Sequence, residues 1–226
     1  MRYRIDGGSL PVLICSLDAG EELICESGGM AWMDPGIEMQ TKSGGLGKLF
    51  GRMLTSESLF TNTYVARQAG EFAISSSFPG SIRAYEITPG MSLIAQKKAF
   101  LAMTPGVQMS VHLQKKLGSG FFGGEGFVMQ KFEGSGMVFL EIDGSAIDYD
   151  LAAGQQKIID TGYLACMQGS CSIDVVTIKG VTNVLFGGEG LFNTVVTGPG
   201  RITLQSMPIQ HTAAMLYGFM PHPSNH

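Results

Sequence analysis

The chain repeats one passage three times, and this repetition limits its fold more than any other feature. The copies lie at residues 20–39, 90–109 and 154–173. Aligned without gaps, they place two sets of apolar residues at shared positions: Ile24, Ile94 and Ile158, and Met33, Met103 and Met167. The chain is therefore built from three repeats, at about residues 10–80, 81–145 and 146–207.

Short apolar or alternating segments bounded by turn residues occur in all three repeats, and they predict β-strands. Examples are residues 22–25, 92–95, 137–142, 173–178 and 201–204. Closely spaced strands separated by Gly, Pro, Asp and Ser are typical of a β-sandwich or barrel. The 32 glycines supply tight turns and bulges between such strands. We therefore expect an all-β fold.

The three repeats are expected to share one body. No Ser/Pro-rich or charged linker separates them, and a module of this size buries its faces poorly alone. We predict one domain over residues 1–217, with three tandem β-sandwich-like repeats in a pseudo-threefold arrangement, followed by a tail at 218–226. Exposed strand edges would need covering by the chain itself or by neighbouring subunits.

Composition favours self-association. Charged residues make up only 15% of the chain, against about 25% in an average domain. Much surface is therefore expected to be buried against other subunits, and a homo-oligomer, with a trimer favoured, is predicted. The net charge of −4 argues against a nucleic-acid protein, since such proteins carry a basic surface.

Two segments predict short helices. The first carries apolar residues on one helical face, namely Leu46, Leu49, Phe50, Met53 and Leu54. It is interpreted as a helix that caps the sandwich or covers an interface, and alternatively as a segment that lies on a membrane surface. The second is residues 211–217, before two prolines end regular structure.

Motifs for metal, nucleotide and nucleophile chemistry are not matched by the sequence. The four histidines include no His-x-His pair for a metal inside a barrel. The G-x-G-x-x-G match at residues 118–123 is followed by a strand-like segment where a dinucleotide site needs a helix. Four cysteines are interpreted as buried free thiols: Cys15, Cys25, Cys166 and Cys171. We expect no metal, no cofactor and no catalytic residue.

An acidic residue recurs in all three repeats, at Glu57, Glu125 and Glu189. The glycines beside the second and third of these free the backbone for a tight turn or bulge. One interpretation is structural, with each carboxylate accepting hydrogen bonds from nearby backbone N–H groups. The other is an interaction or ligand site, in which the three carboxylates converge on an axis.

The sequence resembles a known family. A Phe-x-Gly-Gly-Glu-Gly type block at 121–127 and 185–191, together with residues 56–60 and 78–80, is similar to motifs of the altered inheritance of mitochondria protein 24 family. The resemblance implies a β-sandwich of the tryptophan RNA-binding attenuator protein-like superfamily and a tendency to oligomerise. It implies no catalytic residue.

The favoured function is a non-enzymatic oligomeric scaffold or protein-interaction module with an unidentified protein partner. The alternative is a module that binds a small molecule or a metal at a site between repeats. A weaker alternative is peripheral attachment to a membrane surface. The sequence has no apolar run of signal-peptide or membrane-span length, so a cytoplasmic location is expected.

Overall fold

The computed structural model describes residues 1–40, 61–115, 126–177, 192–217 and 219–220. Within these residues the chain is nearly all β, as predicted, with nineteen strands and one α-helix. A strand β1 (Arg2–Asp6) precedes the repeats. Each repeat then contributes six strands in the same order.

The strands of the first repeat are β2 (Val12–Leu17), β3 (Glu22–Glu26), β4 (Met30–Met33), β5 (Ile37–Gln40), β6 (Thr61–Ala66) and β7 (Gly70–Ser75). Those of the second are β8 (Gly80–Ile87), β9 (Leu93–Gln96), β10 (Phe100–Met103), β11 (Val107–Lys115), β12 (Phe127–Gly134) and β13 (Gly136–Asp143). Those of the third are β14 (Ala146–Leu151), β15 (Gln156–Asp160), β16 (Leu164–Gln168), β17 (Ser172–Thr177), β18 (Phe192–Thr197) and β19 (Gly200–Gln205). The helix α1 (Ile209–Tyr217) follows.

The described strands form four antiparallel sheets. The first has the order β1-β2-β7-β4, the second β5-β6-β3-β10-β13-β8, the third β11-β12-β9-β16-β19-β14 and the fourth β15-β18-β17. The second and third sheets each join three strands of one repeat to three strands of the next. We call the joining ladders the first seam (β3 with β10) and the second seam (β9 with β16).

The two seams have the same register. Ile24 lies opposite Met103 in the first seam, and Ile94 lies opposite Met167 in the second. The seam strands β10 and β16 each carry a one-residue bulge against the next strand of their own repeat, at Leu101 and Ala165. Because a bulge bends its strand at a defined place, the repeats present equally shaped edges to one another.

The sheets stack as four successive layers with three apolar cores between them. The first core joins Leu13 and Phe72 of the first sheet to Phe139 of the second. The second core contains Val138, the neighbour of Phe139, and the third contains Ile94. Since adjacent residues of a strand point to opposite faces, the second sheet is buried on both sides. Each repeat is thus a sandwich whose halves belong to consecutive sheets.

One predicted helix is confirmed and one lies outside the described residues. The segment at 211–217 is the main part of α1, which begins slightly earlier, at Ile209. Helix α1 has no buried residue, and the backbone N–H of Ile209 donates to Asp143 Oδ2 at 2.8 Å. The amphipathic segment of Leu46, Leu49, Phe50, Met53 and Leu54 is not among the residues that the structure describes.

The prediction that the three repeats close into one pseudo-threefold body is not confirmed. By the sequence alignment, β4 is equivalent to β10 and β16, and β15 is equivalent to β3 and β9. A third seam would therefore pair β15 with β4, but within the described residues these strands belong to the fourth and first sheets. The domain boundaries stay predictions.

The packing across the first core can be tested with Phe139→Ala. Phe139 is fully buried and its ring meets Tyr3 edge-on at 4.9 Å. Truncation leaves a cavity between two sheets, so we expect a loss of about 3–5 kcal/mol in the free energy of unfolding, measured by urea titration. Leu10→Ala, at a residue that is 64% exposed, is the control and should change stability by less than about 0.5 kcal/mol. Equal losses in both variants would contradict the layered core.

Candidate functional site

The three recurrent acidic residues of the sequence, Glu57, Glu125 and Glu189, all lie outside the residues that the structure describes. Their convergence on an axis and their structural role both stay predictions. The carboxylates that the structure does bring together are different ones, at the ends of the seam strands.

A cavity of about 270 Å³ lies where the three repeats meet, and we call it the inter-repeat cavity. Its wall is formed by strand ends, by the short turn at residues 97–99 and by the start of α1. The lining residues that carry charge or polar groups towards it include Glu26, Ser77, Gln96, Lys98, Glu141, Asp143, Gln205 and Gln210. A concave space between structural units, with a few polar groups in its wall, is a common form of a small-molecule site.

Equivalent positions in the repeats carry acids at one seam and amides at the other. Glu26 ends β3, and its equivalent Gln96 ends β9. Glu141 lies in β13 at the position that Gln205 occupies in β19. The cavity is therefore lined by an acidic end, formed by Glu26 and Glu141 at the first seam, and by a neutral end, formed by Gln96 and Gln205 at the second seam.

The neutral end is held by hydrogen bonds from two amide side chains. Gln96 Nε2 donates to the carbonyl oxygens of Leu164 and Gly162, at 2.5 and 3.2 Å. Gln205 Nε2 donates to the same Gly162 carbonyl at 2.8 Å, and Gln205 Oε1 accepts from the Asp143 N–H at 3.2 Å. These bonds tie the second and third repeats together, because each amide spans the seam.

The acidic end is held by serine donors. Glu141 is only 5% exposed, and its carboxylate accepts hydrogen bonds from Ser77 N and Ser77 Oγ, both at 2.7 Å, and from Ser76 Oγ at 2.9 Å. A buried carboxylate is tolerated only when such partners replace its water. Glu141 therefore fastens the first repeat to the second.

Two further carboxylates beside Glu141 have raised pKa values. Burial raises the pKa of Glu26 from 4.5 to about 7, the charge of Glu141 adds to this, and Lys97 and Lys98 oppose it. Burial also raises the pKa of Asp143 from 3.8 to about 6, against the hydrogen bond that it accepts from Ile209 N–H. Both groups therefore exchange protons near neutral pH.

The third equivalent of Glu26 and Gln96 is Asp160, at the end of β15. Its Oδ2 atom lies 3.6 Å from Nε2 of His211, on α1. The helix thus covers the end of the third repeat, whereas the ends of β3 and β9 face the cavity. Gln210 Oε1, beside His211, is buried without a hydrogen-bond partner among the described residues.

The four cysteines are confirmed as buried free thiols. Burial raises the pKa of Cys15 and of Cys25 to about 12, and it also raises the pKa values of Cys166 and Cys171. Since the thiolate is the reactive form, these residues are inert core groups.

Neither a metal-binding cluster nor a membrane-spanning helix occurs in the described part of the chain. No group of three or more His, Cys, Asp or Glu side chains there is arranged to hold a metal ion. No helix there has the length and the apolar character that crossing a bilayer requires.

The second distinctive feature is a pair of strands, β4 and β15, each of which has one side without a hydrogen-bonded strand among the described residues. We call them the open edges. Ile158 on β15 is 69% exposed, whereas its equivalent Ile94 in the second seam is fully buried. Trp32 on β4 is 50% exposed, whereas its equivalents Ala102 and Cys166 are buried. The alignment of the repeats could have identified these positions, since it already matched Ile158 with the seam residues.

Comparisons with known proteins agree with the resemblance seen in the sequence. A family model described as mitochondrial biogenesis AIM24 matches residues 3–207. An uncharacterized protein of Streptococcus pyogenes serotype M6 is 29% identical over 236 residues, which cover 100% of this chain and 93% of the relative. A crystal structure of a Streptococcus pyogenes protein superimposes with a TM-score of 0.80 at 26% identity, over 97% of this chain and 99% of that one.

The acidic end of the cavity predicts a pH-dependent stability. A carboxyl whose pKa is higher in the folded state than in the unfolded state binds its proton more tightly in the folded state. The favourable contribution of Glu26 to the free energy of unfolding is therefore present at low pH and is lost as the pH rises from about 4.5 to about 7. Glu26→Gln, which copies the second seam, should match the wild type at pH 5 and exceed its free energy of unfolding by roughly 1–3 kcal/mol at pH 8.

Urea titrations at both pH values measure this difference. Glu86→Gln, at an exposed residue of β8, is the control and should leave the pH dependence unchanged. Parallel stability profiles for Glu26→Gln and the wild type would show that Glu26 is not desolvated as described.

Proposed function

This chain belongs to the mitochondrial biogenesis AIM24 family, and from that premise we propose that it is a non-enzymatic scaffold that works as a homo-oligomer. The observation that carries the proposal is the exposure of Trp32 and Ile158. The equivalents of Trp32 are buried in both seams, and those of Ile158 are buried in the second seam and partly buried in the first. Strand edges of this kind pair with another chain unless they are covered.

The apolar character of the open edges supports assembly. Beside Trp32, Met30 of β4 is also exposed, at 38% of its surface. Exposed apolar side chains on a strand with one open side favour association, because pairing on that side removes them from water and satisfies backbone groups at once. A scaffold that presents the same surface on every subunit would then be available to an unidentified protein partner.

The trimer stays our favoured oligomer. An interface between two different edges links subunits head to tail, and such an interface closes into a ring when its rotation allows. Three chains would give a ring of nine repeats. We place this assembly in the cytoplasm, without nucleic acid, in keeping with the net charge of −4. The tryptophan RNA-binding attenuator protein-like ancestry stays a prediction.

A second candidate function is the binding of a small molecule or a metal in the inter-repeat cavity. The cavity favours it because acidic groups that exchange protons near pH 7, Glu26 and Asp143, face the same space as Lys98. The unpartnered Gln210 Oε1 atom adds a free acceptor. Mass retained by the wild type in native mass spectrometry and lost in Glu26→Gln would support this function.

Contact with a membrane surface through Leu46, Leu49, Phe50, Met53 and Leu54 stays a weaker proposal. Flotation of the wild-type protein with anionic liposomes tests this proposal. Failure of the protein to float with the liposomes would contradict it.

Native mass spectrometry of the untagged protein tests the scaffold proposal. We expect a discrete multiple of the 24.1 kDa chain, with three copies as the main species, because the open edges need partners. Raising the ionic strength should preserve the assembly, since an interface made by strand pairing and apolar contacts is little affected by salt screening. A monomer at micromolar concentration would contradict the proposal.

A further inference from the structure

We propose that the open edges pair with each other between two copies of this chain, so that β15 of one copy lies antiparallel beside β4 of the next. This inference rests on the proposed homo-oligomer and specifies its interface. The first and fourth sheets would then join into a seven-stranded sheet, in the order β17-β18-β15-β4-β7-β2-β1.

The two seams within the chain provide the template. In the second seam, Ile94 of β9 pairs with Met167 of β16, and the same pairing occurs in the first seam between Ile24 and Met103. Transferred by the alignment of the repeats, this register places Ile158 opposite Met33 of the second copy. It also places Ile159 opposite Trp32.

Strand β4 has the same shape as the seam strands that it matches. Its ladder with β7 shifts register between Met30 and Trp32, so that Ala31 is bulged. The bulges of β10 and β16 fall at the equivalent residues. Because a bulge fixes the bend and twist of an edge, β4 offers β15 the backbone that β10 offers β3.

The transferred register also brings opposite charges together. In the second seam, Leu93 pairs with Gln168. The equivalent pair at the proposed interface is Lys157 of β15 with Asp34, the residue that follows β4. Opposite charges across a strand pair are favourable, whereas like charges are not, and so this charge pair favours the register.

The layered core favours a second copy over closure within one chain. The second and third sheets lie between the first and the fourth, and both of their faces are covered near the seams by the apolar cores. Packed sheets are about 10 Å apart, so the first and fourth sheets are separated by on the order of 30 Å. The strands β4 and β15 of one chain therefore lie at opposite ends of the stack.

The tryptophan on β4 also favours an interface between two copies. Where the seams within the chain have the small residues Ala102 and Cys166, β4 has Trp32. A small residue suits a tightly packed core, whereas Trp is enriched at the centres of interfaces between separate molecules. In the proposed assembly Trp32 packs against the neighbouring copy.

Disulfide trapping between two differently substituted chains tests the pairing. A chain with Met33→Cys is mixed with a chain carrying Ile158→Cys and oxidised mildly; the native cysteines are buried and do not compete. We expect a two-chain product on a non-reducing gel, at a yield roughly tenfold above that of the control, because paired strands hold the two sulfur atoms at a high effective concentration. The control pair is Met39→Cys with Ile158→Cys, since Met39 lies on β5 and, at 49% exposure, is more accessible than the partly buried Met33.

A yield equal to that of the control would overturn the pairing. So would an internal disulfide in a single chain that carries both substitutions, since that result means closure within the chain. If the wild type is still oligomeric in native mass spectrometry, only the interface is wrong and the scaffold proposal survives. A monomeric wild type overturns both.

A second experiment uses charged substitutions on each edge. Ile158→Lys should block β15 and leave β4 intact, and Trp32→Lys should do the reverse, so each variant alone is expected to be a monomer. Their mixture should form a heterodimer through one intact pair of edges, which is the signature of a head-to-tail interface. Leu10→Lys, at a residue exposed to 64%, should assemble like the wild type. Full assembly of Ile158→Lys would contradict the pairing.

Discussion

The structure depends on backbone hydrogen bonding between strands of neighbouring repeats. Each repeat is a sandwich whose two halves end in strands that have no partner within that repeat. The ladders of β3 with β10 and of β9 with β16 satisfy these strands and fix the order of the layers. The apolar cores then bury both faces of the middle sheets near the seams. The three repeats make two such ladders, and among the described residues the strands equivalent to the seam strands, β4 at one end and β15 at the other, have no seam partner. Assembly is therefore the central question about the function of this chain.

The two seams differ in the side chains at the ends of their strands. Gln96 and Gln205 connect the second and third repeats through neutral amide bonds. Glu26 and Glu141 occupy the equivalent positions between the first and second repeats, where burial and mutual repulsion raise the pKa of Glu26 to about 7. If the three repeats packed in the same way, amides and acids would not have to alternate between the two seams. The raised pKa of Glu26 therefore predicts that the first seam responds to protons near neutral pH, and the acidic end gives the inter-repeat cavity its acidic groups.

Much of this fold could be predicted from the sequence. The alignment of Ile24, Ile94 and Ile158 identified the seam position, and the apolar segments identified strands such as β13, because period and turn residues are local signals. The short helix near the C-terminus was also predicted. Sequence alone did not show which repeats pair, since register across a seam depends on three-dimensional contacts. The sequence pattern also singled out Glu57, Glu125 and Glu189, because an acidic residue recurs there in all three repeats. Glu26 and Asp143, which line the cavity, were not singled out, because their equivalents in the other repeats are of different residue types.

Hydrogen exchange of the assembled wild type tests the account most directly. The backbone amides of β4 and β15 should exchange as slowly as those of β3 and β10, and their protection should fall when dilution separates the chains, because the proposed ladder exists only between copies. Fast exchange at both open edges in the assembled protein, or protection that does not depend on concentration, would contradict the account.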